Sequence, residues 1–168
     1  MTKLHTPVLI GEAPGYHEDQ EGRPFIGPAG RFLDKLLDAA QVPRESLFIT
    51  NMVACRPPGN RKPEKDEMKA CLPRIRELLW VLKPSSVVLM GDTPLRGVLG
   101  IHGITRRRGF QYFQDLDLMN TGRAVQVALN PTYHPSYLLR THSKQFIRET
   151  ILDLYNAYIE GSGIYKVP

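Results

Sequence analysis

The residues equipped for chemistry concentrate between Val8 and Gly30, in the stretch V-L-I-G-E-A-P-G-Y-H-E-D-Q-E-G-R-P-F-I-G-P-A-G. Glu12, His17, Glu18, Asp19 and Glu21 crowd a segment whose backbone is broken by Pro14 and Gly15. Just before them, Val8, Leu9 and Ile10 form a short apolar run that reads as a strand buried on both faces and ended by Gly11. The carboxylates are therefore delivered to the carboxyl end of a strand, where open α/β sheets bind their ligands. The plain alternative is a solvated acidic loop, the usual fate of a charge run. What weighs against it is repetition. Asn51 ends a second apolar run, Gly91 and Asp92 follow a third, and His134 lies just beyond a fourth.

The elements that must position these groups can be read in chain order. Pro28 and Gly30 open an amphipathic helix to about Ala40, with Phe32, Leu33, Leu36, Leu37 and Ala40 on one face. After Pro43, residues Leu47–Ile49 predict a second buried strand ending at Thr50 and Asn51. A basic, proline-rich loop, C-R-P-P-G-N-R-K-P, leads to a long helix from Glu64 to about Leu82, with acids in the first turn where the helix dipole favours them. Val87–Met90 predict a third strand, followed by a short helix through Leu99, and Val125–Leu129 a fourth, followed by a helix to about Tyr158. The looser stretch from Gly100 to Gly122, with Arg106, Arg107 and Arg108 before its aromatics, is read as a small hairpin. The alternation implies a parallel sheet with helices on both faces, because right-handed crossovers place them there. The strand ends then converge, bringing Glu12, Glu18, Asn51, Gly91 with Asp92, and His134 together from separate loops.

The 168 residues suit one domain over 1–168, with enough core to fold without a staple. No apolar run is long enough to span a bilayer, and Met1–Pro7 lacks the features of a secretory signal. Two cysteines fit a reducing compartment, so a cytoplasmic, monomeric protein is expected. A net charge of +5 suits a polyanionic partner.

Five segments, G-E-A-P-G-Y-H-E-D, G-R-P-F-I-G-P-A-G, F-I-T-N, C-R-P-P-G-N-R-K-P and T-Y-H-P-S-Y-L-L-R, closely resemble family 4 uracil-DNA glycosylases, in the same order and at compatible spacing. The resemblance implies a three-layer α/β/α domain around a central four-stranded parallel sheet. It also implies an enzyme that flips deoxyuridine out of double- or single-stranded DNA and hydrolyses the N-glycosidic bond, releasing uracil. Such an enzyme must extrude the nucleotide, cover the base, read its edge and stabilise charge as the bond breaks.

On this resemblance Gly11, Ala13, Pro14, Gly15, Phe25 and Asn51 form the base pocket. Phe25 stacks on the ring, and the Asn51 amide matches the N3 and O4 edge of uracil but not that of cytosine. Glu12, Glu18 and His134 are the catalytic candidates. His134 stabilises negative charge on the departing base, and a carboxylate stabilises the sugar cation or orients water. Arg56, Arg61, Lys62, Ser136 and Arg140 are assigned to DNA contacts, with Leu138 as a wedge entering the stack. The main alternative is a non-catalytic DNA-binding or processivity member of the superfamily; activity on hypoxanthine or xanthine is a third reading.

The family's four-iron four-sulfur cluster uses an N-terminal C-x-x-C pair and a second pair with fifteen residues between its cysteines. Cys55 and Cys71 keep that second spacing, but the residues before Val8 contain no cysteine and offer only His5. The expectation is therefore no cofactor and no metal.

Overall fold

The computed structural model describes residues 6–117, 122 and 124–162. Five strands, β1 (Val8–Gly11), β2 (Phe48–Asn51), β3 (Val87–Met90), β4 (Tyr112–Leu116) and β5 (Val125–Thr132), form one sheet in the order β2-β1-β3-β5-β4. The four expected strands, β1, β2, β3 and β5, are mutually parallel. The fifth is an addition to the expected sheet. β4 runs antiparallel to β5, pairing Tyr112 with Leu129 and Leu116 with Val125.

The hairpin expected between Gly100 and Gly122 is thus corrected. Its first part is a short helix, α5 (Ile104–Arg107), and its aromatic part pairs with the following strand, while positions 118–121 lie outside the described residues. β2 is also corrected, from a buried strand to an edge strand. Among the described strands it pairs with β1 alone, and Phe48 at its start is 38% exposed.

Alternation along the central strands builds two cores. Val8, Ile10, Val87 and Leu89 face one side and pack with Met68, Ile75 and Leu79 of α3 (Lys65–Leu82) and with Leu95 and Val98 of α4 (Asp92–Leu99). Leu9, Val88 and Met90 face the other and pack with Leu33, Leu36 and Leu37 of α2 (Pro28–Ala39), Leu138 of α6 (Pro135–Thr141) and Leu154 of α7 (Lys144–Ser162). This is a three-layer α/β/α arrangement. The stretch read as one acidic loop contains a helix, α1 (Tyr16–Glu21), preceded by extended Gly15 and closed by left-handed Gly22.

The chain leaves β1 toward β2 and returns across it to β3, so the strand order reverses beside β1. A crevice forms at such a switch point, outside the carboxyl ends of the strands.

Candidate active site

A cleft of about 450 Å³ opens at those strand ends, lined by Glu12, Ala13, Pro14, Gly15, Glu18, Phe25, Asn51, Arg61, His134, Ser136 and Arg140. Of the expected site residues, Gly11, Arg56, Lys62 and Leu138 are outside this lining, and so are Gly91 and Asp92, which were expected to converge on it. Gly11 lies behind it for a steric reason. A β-carbon there would come within 2.4 Å of the Phe25 ring and 2.6 Å of Asn51 Oδ1, so the strand end must be bare for both side chains to fit.

Phe25 has a left-handed backbone (φ 52°), a conformation disfavoured for a bulky residue and costing on the order of 1–3 kcal/mol. The residue is 5% exposed, and its ring centroid lies 5.7 Å from that of His134. The following residues are fixed by Glu18, whose Oε1 accepts from the N–H groups of Ile26 (3.0 Å) and Gly27 (2.8 Å). Partial burial by itself raises the Glu18 pKa. The N–H groups of Gly27, of Glu18 itself, of Ile26 and of Gly15 outweigh that and hold it below the ordinary value. Glu18 is therefore a carboxylate with one oxygen committed to the backbone of the Phe25 loop. Glu12 is also tethered, its Oε2 accepting from the Thr93 hydroxyl at the start of α4.

Asn51 is 6% exposed, and its Oδ1 is buried without a hydrogen-bond partner among the described residues. Its main chain is held firmly. Arg74, from the middle of α3, donates through Nη2 to the Asn51 carbonyl (2.6 Å) and through Nη1 to the Thr50 hydroxyl (3.3 Å). A positioned backbone with an unpaired buried acyl oxygen is an acceptor waiting for a donor, since burying such a group unpaired costs about 1–3 kcal/mol.

His134 caps the N-terminus of α6 in an unusual way, its Nδ1 accepting from the backbone N–H of Ser136 (3.1 Å) with the Ser136 hydroxyl at 2.8 Å. A backbone N–H can only donate, so Nδ1 carries no proton and the neutral ring must carry it on Nε2. Burial, and then the charge of Arg140, push the imidazole pKa down to about 4. The cleft thus contains a neutral imidazole whose remaining nitrogen is a donor.

Other expected contacts need correction. Leu138 is not exposed at all; it packs in the α2 and α7 core with Tyr133 and Leu33. A wedge role is excluded in this conformation, and the next residue, Leu139, is the partly exposed one. Leu138→Ala is therefore expected to lower stability by about 2–5 kcal/mol through the cavity it leaves. Denaturant melts would show the loss.

Arg61 reaches the cleft but is also paired with Glu67, at 2.9 and 2.8 Å. That side-chain bond and then the Glu64 N–H lower the Glu67 pKa to about 2. Arg56 lies over the Tyr16 ring at 5.2 Å and donates to Asn60. Arg108, read with its neighbours as loop charge, turns inward to Asp153 and Glu149, while Asp153 accepts from Thr132 at the end of β5. Asp92 accepts from Gly103 N–H, joining the α4–α5 connection. Lys62, Arg106 and Arg107 are exposed.

Thr93, Arg74 and Arg44 escaped the sequence reading. Nothing in a lone arginine on an amphipathic helix signals that it holds a strand carbonyl in the adjacent layer.

Cys55 is exposed and Cys71 half-buried on α3, both as free thiols. Among the described residues no group of three or more His, Cys, Asp or Glu side chains is arranged to hold a metal ion, and His5 lies outside them. Two thiolates do not match a cubane cluster, which needs a ligand at each iron.

An aromatic ring, a buried amide oxygen with no partner among the described residues and a neutral imidazole meet at the strand ends of the parallel part of the sheet, at the cleft of an α/β/α domain. The model of the uracil DNA glycosylase superfamily matches residues 5–158. The chain belongs to that superfamily. It is 40% identical over 135 residues to a type-4 uracil-DNA glycosylase of Pyrobaculum aerophilum, covering 79% of this chain and 67% of that protein. It is 36% identical over 152 residues to the type-4 enzyme of Thermotoga maritima, covering 89% and 74%, and 36% identical over 138 residues to that of Sulfurisphaera tokodaii, covering 79% and 60%. The matched region thus spans roughly three fifths to three quarters of the length of these relatives.

Proposed function

We propose that this protein excises uracil from DNA, flipping deoxyuridine into the cleft and hydrolysing its N-glycosidic bond to leave an abasic site. The observation that carries the reading is the buried, unpartnered Oδ1 of Asn51 beside Phe25 and His134. Uracil N3–H supplies the missing donor, and the amide nitrogen of Asn51 faces O4. Cytosine, which has an acceptor at N3, leaves that oxygen unpaired. Phe25 covers the ring. Nε2–H of His134 donates to O2, where negative charge accumulates as the bond to the sugar breaks, and being preorganised it needs no proton transfer. Glu12 and Glu18 supply negative charge near the cationic sugar and a site for the attacking water. One oxygen of each is already tethered, which fixes where the carboxylates sit.

Arg140 and Ser136 at the mouth, with Lys62 and Arg56 on the neighbouring loop, are assigned to phosphate contacts. Leu139 takes over from Leu138 as the residue placed to enter the stack. The test is release of base from matched oligonucleotides carrying uracil, hypoxanthine, xanthine or a thymine mispair, single- and double-stranded. Uracil release in both forms is expected. Tight uracil-DNA binding without release would instead establish a non-catalytic member.

None of these steps uses iron. We expect aerobically purified protein to be colourless, without the broad visible absorbance of an iron-sulfur centre, and the Cys55→Ser, Cys71→Ser double variant to retain its activity and fold. Stoichiometric iron in anaerobically prepared protein, with unfolding of the double variant, would reverse this reading and direct attention to ligands outside the described residues.

A further inference from the structure

The face that Phe25 offers to a base is set by its backbone, and that backbone is held on both edges. Glu18 takes the N–H groups of Ile26 and Gly27. On the carbonyl edge, Arg44 donates through Nη2 to the oxygens of Pro24 (3.0 Å) and Phe25 (3.1 Å), while its Nη1 binds Asp34 Oδ1 of α2 at 2.6 Å. A third constraint comes from below. A β-carbon at position 30 would lie 2.0 Å from the Phe25 carbonyl carbon and oxygen, so Gly30 lets α2 press directly against this peptide.

We propose that Arg44, oriented by Asp34, is a positioning residue for base binding, gripping the Pro24 and Phe25 carbonyls so that Phe25 stays left-handed with its ring beside His134. The inference rests on the reading of the cleft as a base pocket. Arg44 does not line the cleft and so acts through Phe25. The planar guanidinium explains the choice of residue. One nitrogen reaches two carbonyl oxygens while the other meets a carboxylate, a fork that a lysine ammonium does not reproduce. The Arg44 and Asp34 side chains are 33% and 46% exposed, and as an ordinary surface ion pair they would contribute little to stability. Their grip on a strained peptide is what gives them a function.

The test uses the full chain with Arg44→Ala, Arg44→Lys and Asp34→Asn. Misplacing a group that contacts the substrate costs up to about 10²-fold, so kcat/KM on uracil-containing DNA is expected to fall roughly 10- to 100-fold in Arg44→Ala. Arg44→Lys should recover little of it, and Asp34→Asn should fall less than Arg44→Ala. Because stacking is made in ground and transition states alike, the loss should lie mostly in KM. Millimolar guanidinium ion, able to enter the half-exposed Arg44 site, should restore part of the Arg44→Ala activity.

A readout independent of turnover is the fluorine resonance of 4-fluorophenylalanine placed at position 25. It should be a single line that shifts on adding free uracil in the parent protein, and a broadened or displaced line in Arg44→Ala well below its melting temperature. Should the parent release no uracil, the excision reading fails while the fluorine line still reports on the grip. If Arg44→Ala does not fold, Arg44→Lys and Asp34→Asn carry the comparison. Full activity in Arg44→Lys, or an unchanged fluorine line in every folded variant, would overturn the proposal.

Discussion

Asn51→Ala is expected to lower uracil release by about 10²- to 10³-fold while leaving the protein at least as stable as its parent. The two halves of this result have one cause. Among the described residues Oδ1 of Asn51 is buried with no hydrogen-bond partner, an arrangement that costs about 1–3 kcal/mol that the fold must absorb. Truncation to alanine relieves that cost and leaves Arg74 bonded to the same backbone carbonyl. The void it creates adjoins an open cleft that water can enter. The uracil edge, however, loses its partner, and the loss of a preorganised group of this kind is typically worth two to three orders of magnitude. Melting curves and single-turnover rates measured on one preparation decide it. A variant that is both destabilised and nearly normal in rate would show Asn51 to be a structural residue.

His134→Ala should lose a comparable factor, and the pH dependence of the parent carries the sharper signature. A histidine with an ordinary pKa would switch charge near pH 6.5. His134 is depressed to about 4 by burial and by Arg140, so the neutral form persists through that range. Excision should therefore stay flat with respect to this group from pH 8 to about pH 5 and decline only as pH approaches 4. Glu18 remains ionised over the upper part of the same range, since its pKa is also lowered.

The linkage has a definite sign. The unfolded chain takes up the histidine proton first as pH falls from about 6.5 to 4, so this group's contribution is fully present above 6.5 and is lost toward 4. The shift bounds that loss at roughly 3 kcal/mol. Arg140→Gln should raise the midpoint. An acid limb centred at pH 6.5, or the His134 imidazole itself titrating there by NMR, would contradict a ring held neutral through that range.

The strand ends were readable from sequence because apolar runs such as V-L-I-G and V-V-L-M-G are short, continuous and closed by glycine, and that pattern has few other solutions in an alternating α/β chain. Glu12, Asn51 and His134 follow directly from it. The orientation of Leu138 was not readable, since two adjacent leucines on a short helix differ by about 100° in direction and only the rotation set by packing against α2 chooses between them. Charge partners were equally hidden. Arg56, Arg61, Lys62 and Arg106 to Arg108 look alike in sequence, yet Arg61 is shared with the start of α3 and Arg108 is locked to α7. β4 was obscured because Phe113 points outward at 60% exposure while its alternate neighbours Tyr112, Gln114 and Leu116 turn inward, so its aromatic content misstates its buried face.

The residue proposed to read the base stands on one of the two edge strands of the sheet. β2 has four residues, one hydrogen-bonded neighbour and a half-uncovered Phe48 at its start. Peeling it from β1 requires far less than global unfolding, and sub-global openings of this kind set the slowest-protected amides of an edge apart from those of a sheet centre. Recognition would then fail before the molecule melts, with amide exchange at Thr50 and Asn51 marking the event. The two bonds from Arg74 tie the end of β2 to α3 instead, across the layers. The heat tolerance of the proposed base recognition is accordingly expected to depend on this residue of α3, which acts on Asn51 through its main-chain carbonyl.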